Sequence, residues 1–184
     1  ISERWSPRVF DAEFIIDEGS VKSILEAARW APSCFGDQPW KFIIFQKKDA
    51  LQWVNALNCL SVGNQNWAMD TSLLICVCAN KKFKHNGNEN KWSQYDTGAA
   101  SENICLQSTY LGLAAHQMGG FDSDKIRNLA NIPVEFDVMS FIAVGKPLAK
   151  KLMTNEQAEA EGSARKRLKL NEIYFENKWD NFEG

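Results

Sequence analysis

The chain has 184 residues, of which 45% are hydrophobic and 24% are charged, as expected for one globular domain. This composition excludes a chain that is disordered throughout, a collagen and a coiled coil. Lysine and arginine number 21 against 23 aspartates and glutamates, which disfavours a nucleic-acid partner, and no apolar run approaches the roughly 18 residues of a membrane span.

The first half of the chain alternates helical and strand patterns. Ser20 can cap a helix whose apolar residues recur at helical spacing until Pro32 ends it. Asp49 can cap a second helix, and the run after Ser72 is apolar throughout, as in a strand buried on both faces. In chain order we predict an extended segment at 1–18, a helix at 21–31, a strand at 40–45, a helix at 50–60, a short helix at 64–71 and a strand at 73–79.

The second half of the chain contains one long helical candidate at 94–117, which follows a polar loop and is apolar on more than one face. Gly119-Gly120 would end it, and such a helix is typical of the centre of a core. We then predict a short helix at 122–130 and a strand at 138–144. The polar stretch 150–184 favours an arm that packs on a second subunit, because it keeps the large apolar residues Ile173, Tyr174, Phe175, Trp179 and Phe182.

The five cysteines, at positions 34, 59, 76, 78 and 105, are odd in number and irregularly spaced. Buried, reduced thiols of a cytoplasmic protein are the interpretation we favour. The only histidines, His85 and His116, do not form a clustered ligand pattern with these cysteines. Since zinc needs clustered ligands, we predict no metal site.

Positive charge is concentrated at two places: Arg4 and Arg8 near the start of the chain, and the run 165–169 near its end. Arginine suits phosphate because its planar fork donates two parallel hydrogen bonds. If the two clusters meet in space, they would form a phosphate pocket. Taken alone, the run 165–169 favours a solvated tail or a nucleic-acid patch.

Three further segments place polar groups beside aromatic residues or glycines: the loop 31–40, the amide cluster 64–66 and Gly119-Gly120. The loop offers a hydroxyl, an amide and a flexible glycine, which suit the polar edge of a planar ligand. The glycine pair lets the backbone come close to a ligand. Each segment alone is typical of a turn or a cap, but together with the arginines they indicate a flat heteroaromatic ligand that carries a phosphate.

Over nearly its whole length the chain resembles the nitroreductase family of FMN-dependent oxidoreductases. Arg4-Trp5-Ser6-Pro7-Arg8 resembles the family's RxSxR opening, and 26–33 with Gln38-Pro39-Trp40 resembles its AAxxAPSxxNxQPW signature, the most specific match. The family's asparagine two places before the glutamine is Gly36 here, so one hydrogen bond is lost or passes to Asp37. Further similar segments are the central helix at 96–112, the last core strand at 142–147 and the basic pair at 165–167.

The resemblance implies a set of FMN ligands. In the family, the RxSxR opening, which we call the opening element, and the basic pair hold the phosphate and the ribityl chain. The loop that contains the APSxxNxQ part of the signature, 31–38 here, lines the flavin, and we call it the signature loop. The glycine pair reaches flavin N5. The implied cofactor-binding residues are therefore Arg4, Trp5, Ser6, Arg8, Pro32, Ser33, Gln38, Asn64, Gly119, Gly120, Arg165 and Arg167. Cys34 and Phe35 are candidates for contact with the substrate. No side chain is assigned as a catalytic nucleophile, because FMN carries the redox chemistry.

The resemblance also implies the fold and the assembly. We expect an α+β, three-layer fold in which a central, mostly antiparallel sheet is flanked by helices. Residues 1–184 would form a single FMN-binding domain of an intertwined homodimer, with 150–184 as the arm on the partner subunit.

The implied function is the transfer of electrons from NADH or NADPH through FMN to a small acceptor, such as a nitroaromatic or a quinone, by a ping-pong mechanism. The segment between Ala79 and Asp96 is short where larger members place extra helices, which implies an open active site. Two alternatives stay open: a flavin-binding protein for storage or sensing without reductase turnover, and a nucleic-acid binder that uses the run 165–169.

Overall fold

The computed structural model describes residues 1–179 and has a four-stranded antiparallel sheet as its middle layer. The sheet order is β1-β2-β4-β3, so β1 and β3 form its two edges. One row across the sheet joins Ile43, Cys76, Phe141 and Met118. The strands are β1 (Trp40–Gln46), β2 (Leu73–Asn80), β3 (Ala114–Met118) and β4 (Phe136–Gly145).

Helices cover both faces of this sheet, which confirms the expected α+β class with an antiparallel central sheet. The helices are α1 (Glu18–Arg29), α2 (Ala50–Leu57), α3 (Val62–Ala68), α4 (Ser93–Tyr110), α5 (Ser123–Leu129) and α6 (Asn155–Gly162). Alternate residues of β2 point to opposite faces. Leu73 and Ile75 share one core with residues of α1 and α4, whereas Leu74 and Cys76 share the other with residues of α2, α3 and α5. The prediction that β2 is buried on both faces is therefore confirmed.

The first helix begins at Glu18 rather than at 21, because Asp17 and not Ser20 is its N-cap. The Asp17 carboxylate accepts the Ser20 N–H at 2.9 Å and the Ser20 hydroxyl at 2.6 Å. These bonds lower the pKa of Asp17. The prediction that Asp49 caps α2 is confirmed, since its side chain accepts the Gln52 N–H.

The predicted helix at 94–117 is wrong in its last third. Helix α4 ends at Tyr110, and the residues from Ala114 form the edge strand β3. Gly112 makes the break with a φ of 72°, and its N–H donates to the Thr109 carbonyl. The next N–H, that of Leu113, donates back to the Ser108 carbonyl at 2.9 Å. This pair of bonds is a Schellman motif, which ends a helix and favours glycine at the left-handed position.

The chain after β4 returns to its own amino-terminal segment. Three-residue helical turns occur at Lys150–Leu152 and Leu170–Glu172, on either side of α6. Beyond α6, Ile173, Tyr174 and Trp179 are exposed, and the Trp179 ring lies 4.6 Å from that of Phe175. Phe182 lies outside the described residues. The arm over 150–184 stays a prediction.

Candidate functional site

The two basic clusters of the sequence meet in the folded chain. The Arg165 guanidinium donates to the backbone carbonyls of Arg4, at 2.7 Å, and Ser2, at 2.6 Å. It also lies 5.6 Å from the centre of the Trp5 ring, within the range of a cation–π contact. Arg167, by contrast, is exposed and donates to the carbonyl of its neighbour Lys166. The structure therefore brings Arg165 to the opening element and leaves Arg167 beside it in sequence only.

Within the opening element, Arg4 donates to the Ser6 hydroxyl at 2.9 Å and lies 3.4 Å from the Glu102 carboxylate on α4. The Arg8 side chain is exposed to solvent. Arg4 is thus held in place by neighbouring groups, whereas the Arg8 guanidinium is accessible to an anion from outside.

A carboxylate that the sequence analysis did not single out lies at the centre of this cluster. Glu161, near the end of α6, accepts the Trp5 indole N–H at 2.7 Å with one oxygen and the Arg8 backbone N–H at 2.7 Å with the other. Thr154 and Gln157 form a capping box that fixes the start of α6. An internal anion therefore holds two donors at the predicted phosphate site. No sequence signal marked Glu161, because it is one of several glutamates in a polar segment.

A cavity of about 400 Å³ lies against Glu161, Ser6 and Arg8. His116 on β3 lines it, with Nδ1 2.9 Å from the Pro7 carbonyl oxygen and its ring 4.5 Å from that of Trp67. Because a carbonyl oxygen only accepts hydrogen bonds, Nδ1 carries the ring proton. Burial lowers the pKa of His116, which favours the neutral form of the imidazole.

Asn64 and the glycine pair, which the sequence presents as separate segments, are in direct contact. The Asn64 amide and the Ser61 N–H both donate to the Gly120 carbonyl, each at 2.9 Å. A Cβ on Gly120 would lie 2.8 Å from the Ser61 hydroxyl and 2.9 Å from the Asn64 amide nitrogen, so both side chains would have to shift to admit any other residue. A Cβ on Gly119 would meet nothing within 4 Å in the described residues. The open side of this turn is therefore at Gly119.

The signature loop is ordered by α4 and by its own residues. The Cys34 N–H donates to the buried Asp96 carboxylate at 2.9 Å, and the Gln38 N–H donates to the Ser33 hydroxyl at 3.0 Å. Pro32 is exposed at the entrance to the loop. Asp96, which the sequence predicts only as part of the central helix, thus holds the loop in place from α4 through its bond with the Cys34 N–H.

Asp37 does not point into solvent beside Gly36. Its side chain is 7% exposed, and Oδ1 accepts the Lys84 N–H at 2.9 Å. The Lys84 ammonium donates in turn to the Asp37 and Gln38 carbonyls. The second carboxylate oxygen, Oδ2, is buried without a hydrogen-bond partner in residues 1–179. These bonds tie the signature loop to the segment 81–91.

The signature loop and the glycine pair lie at opposite edges of the sheet. The loop leads into β1, and Gly119-Gly120 follows β3. Adjacent strands are about 4.8 Å apart, so the two edges are separated by about 14 Å across the sheet alone. In one copy of the chain the candidate site residues therefore fall into two groups, which we call half-sites: those beside β3, which include Arg8, Asn64 and Gly119, and the loop from Pro32 to Gln38.

In residues 1–179 no helix is long and apolar enough to cross a bilayer. The same residues contain no cluster of three side chains of the kinds that hold a metal ion.

All five cysteines are free, and only Cys34 is partly exposed. Burial raises the pKa of the Cys105 thiol to about 11.

Known proteins match this chain in sequence and in fold. A family model described as the nitroreductase family matches residues 1–61 and 55–146. A protein of Archaeoglobus fulgidus, whose name contains NADH dehydrogenase and NAD(P)H nitroreductase, is 32% identical over 155 residues, 82% of this chain and 85% of that protein. An oxygen-insensitive NADPH nitroreductase of Helicobacter acinonychis is 24% identical over 79% of this chain and 85% of its own length.

Among solved structures, an oxidoreductase described as containing FMN superposes with a TM-score of 0.88. It is 34% identical in sequence and covers 97% of this chain and 90% of its own. The family model alone spans well over half of the chain, and the structural match extends over almost all of it. The chain therefore belongs to the nitroreductase family of oxidoreductase enzymes.

Proposed function

We propose that this protein is an FMN-dependent oxidoreductase that passes electrons from NADH or NADPH to a small acceptor, a nitroaromatic or a quinone, by a ping-pong mechanism. The observation that carries the proposal is the contact of Arg165 with Arg4 and Ser2, across 161 and 163 positions of sequence. That contact brings the Arg165 guanidinium to the segment that carries Arg4 and Arg8, and a cofactor phosphate needs such donors. The names of the relatives and the FMN of the matched oxidoreductase support the same cofactor.

The residues present fit FMN. The exposed Arg8 guanidinium and the adjacent cavity suit a phosphate and the start of the ribityl chain. At the other end of this half-site, the open side of Gly119 lets a ring approach the backbone. The proposed ligands are Arg4, Trp5, Ser6, Arg8, Asn64, Gly119, Gly120, Arg165 and Arg167 from one chain, with Pro32, Ser33 and Gln38 lining the ring.

The separation of the two half-sites supports a homodimer. Since one chain holds its signature loop at the far edge of the sheet, the loop beside a given glycine pair would come from a second copy. Large exposed aromatic residues on the α1–α4 side, including Trp30, Tyr95 and Tyr110, supply apolar surface for such an interface. We include in this proposal that 1–184 is one domain whose arm, 150–184, packs on the partner.

When bound, FMN supplies the two-electron chemistry between the nicotinamide donor and the acceptor. This chain contributes binding and orientation: Arg8 and Arg165 hold the phosphate end, and Asn64 and the glycine pair fix the ring end. If protein covers one face of the ring, donor and acceptor share the other and must bind in turn, which is the ping-pong order. The free thiols are typical of a reducing compartment, and we place the enzyme in the cytoplasm.

The test is to purify the protein, identify the flavin released on denaturation, and measure NADH and NADPH oxidation with a nitroaromatic and a quinone. We expect FMN, turnover with at least one donor, and parallel double-reciprocal plots. FMN without turnover would instead indicate storage or sensing, and absence of FMN would overturn the proposal. Sedimentation should give a dimer, and a stable FMN-loaded monomer would refute the assembly.

A further inference from the structure

A second cavity adjoins the one already described at Arg8. The first has a volume of about 400 Å³ and the second a volume of about 490 Å³. Arg8 lines only the first and Arg165 lines only the second, so we call them the Arg8 cavity and the Arg165 cavity. Trp5, Val9 and Glu161 line both. The two cavities therefore meet at these three residues, at the end of the half-site where the cofactor phosphate is proposed to bind.

The boundary between the two cavities has a defined structure. Glu161 accepts the Trp5 indole N–H with one oxygen and the Arg8 backbone N–H with the other, each at 2.7 Å. The Arg165 guanidinium lies 5.6 Å from the centre of the Trp5 ring and also donates to two backbone carbonyls near the start of the chain. Each cavity thus has its own arginine, and both cavities include the Trp5–Glu161 pair.

The Arg165 cavity combines apolar side chains with positive charge. Lys150 lines it together with Arg165, and Glu161 is the only acid among the described residues that do so. Both Glu161 oxygens already accept N–H groups, whereas the Lys150 ammonium makes no hydrogen bond or ion pair with residues 1–179. Besides Trp5, the apolar residues of the lining are Pro7, Val9, Pro147, Leu148 and Met153. Such a lining suits a flat ring that is attached to an anionic group.

The apolar wall of the Arg165 cavity is fixed by the backbone. Phe10 and Pro147 form an antiparallel bridge, and the Leu148 N–H donates to the Val9 carbonyl at 3.2 Å. These contacts join the chain after β4 to the chain that follows the opening element. The wall is therefore formed before a ligand enters, which lowers the cost of binding. The volume of the cavity lies within the usual range for small-molecule sites.

We propose that the Arg165 cavity binds the adenosine monophosphate half of FAD, so that this protein accepts FAD as well as FMN. The inference rests on the proposed function, which places the FMN phosphate beside Arg8 and Arg165. FAD continues from that phosphate into a second phosphate and an adenosine, on the side away from the flavin ring. Lys150 supplies a positive charge to the second phosphate, and the apolar wall contacts the adenine ring. Lys150 thus becomes a residue that contacts FAD but not FMN.

The test is calorimetric titration of the apoprotein with FAD and, separately, with FMN. We expect FAD to bind at least as tightly as FMN, because the contacts of the adenosine offset the cost of ordering it. Lys150→Ala should raise the Kd for FAD about three- to five-fold, as expected for the loss of one exposed charge pair, and leave the Kd for FMN unchanged. Ala164→Trp places a large ring in the Arg165 cavity, so the ratio of the Kd for FAD to the Kd for FMN should rise about ten-fold or more.

Lys151→Ala and Ala158→Trp are the matched controls, because both residues are exposed and neither lines the Arg165 cavity. They should leave the ratio of the two Kd values as it is in wild type. Weaker binding of FAD than of FMN by wild type would overturn the proposal, since the cavity would then be closed to adenosine. A ratio that is the same in wild type, Lys150→Ala and Ala164→Trp would also overturn it, because the adenosine would then lie in solvent. If FMN binds and FAD does not, only this inference fails, whereas failure of both flavins to bind refutes the proposed function as well.

Discussion

Replacing Glu161 by glutamine should tighten FMN binding. The Glu161 carboxylate accepts the Trp5 indole N–H and the Arg8 backbone N–H at 2.7 Å each, at the place proposed for the cofactor phosphate. A phosphate that enters must either displace this anion or lie beside it. Glu161→Gln keeps the size of the side chain and removes the negative charge. Its single amide oxygen can accept only one of the two N–H groups, so the other N–H becomes free to donate to a phosphate.

The size of the effect follows from the partial exposure of Glu161. Two unit charges about 5 Å apart repel by about 1 kcal/mol in a water-like dielectric and by about 3 kcal/mol at an effective dielectric of 20. For a half-exposed site we discount toward the lower figure and take about 1 kcal/mol. Since 1.4 kcal/mol is ten-fold in affinity, the Kd for FMN should fall by about five-fold.

The assay is fluorescence titration of the apoprotein with FMN and, separately, with riboflavin, which lacks the phosphate. Glu159→Gln, an exposed glutamate of the same helix, is the matched control and should bind both ligands as wild type does. Riboflavin affinity should be the same in all three proteins. If Glu161→Gln binds FMN no more tightly than Glu159→Gln, the phosphate does not approach this carboxylate and the reasoning is wrong.

Further predictions address the rest of this half-site. Arg8→Ala and Arg165→Ala should each lower the affinity for FMN about ten-fold or more, since a charge-assisted hydrogen bond is worth roughly 1.5–3 kcal/mol. In the same titration the affinity for riboflavin should change little. Gly120→Ala should lower the melting temperature, because its Cβ would meet the side chains of Ser61 and Asn64. Gly119→Ala should have the melting temperature of wild type, because its Cβ meets no other atom in the described residues, and it should weaken only the binding of FMN. His116 has a lowered pKa in the folded chain, so the unfolded chain takes up its proton first. The free energy of unfolding, measured in urea, should therefore fall as the pH drops from about 6.5 toward the lower folded pKa. His116→Gln should lose that part of the pH dependence, and an unchanged slope would contradict the assignment.

Local sequence patterns correctly predicted those elements whose residue pattern reflects only which apolar side chains are buried. The apolar run of β2 was recognised because both faces of that strand are covered by helices. The break at Gly112 was missed, because alanines before and after it, such as Ala99 and Ala115, fit a helix and an edge strand equally well. Only the hydrogen bonds that the Gly112 and Leu113 N–H groups donate to the end of α4 show where the helix ends and the strand follows. The missed strand β3 is what gives the sheet its second edge.

The candidate site shows the same difference between what local sequence patterns predict and what depends on the folded structure. Arginine clusters and the signature loop could be identified in the sequence, since their residue types carry the chemistry. Glu161 could not, because its role depends on where α6 lies against Trp5. Nor could the bond from Lys84 to Asp37, which joins two loops that no sequence pattern relates. Long-range placement, rather than composition, decides which of several similar charges reaches the site.

The placement of the half-sites at opposite edges of one sheet has a consequence for mixtures of chains. In the proposed homodimer each complete site takes its arginines from one chain and its loop from the other. If one chain is damaged in its arginines and the other in its loop, their mixed dimer contains one site with both defects and one with neither. Two inactive proteins would therefore regain activity on exchanging subunits, up to one working site for every mixed dimer.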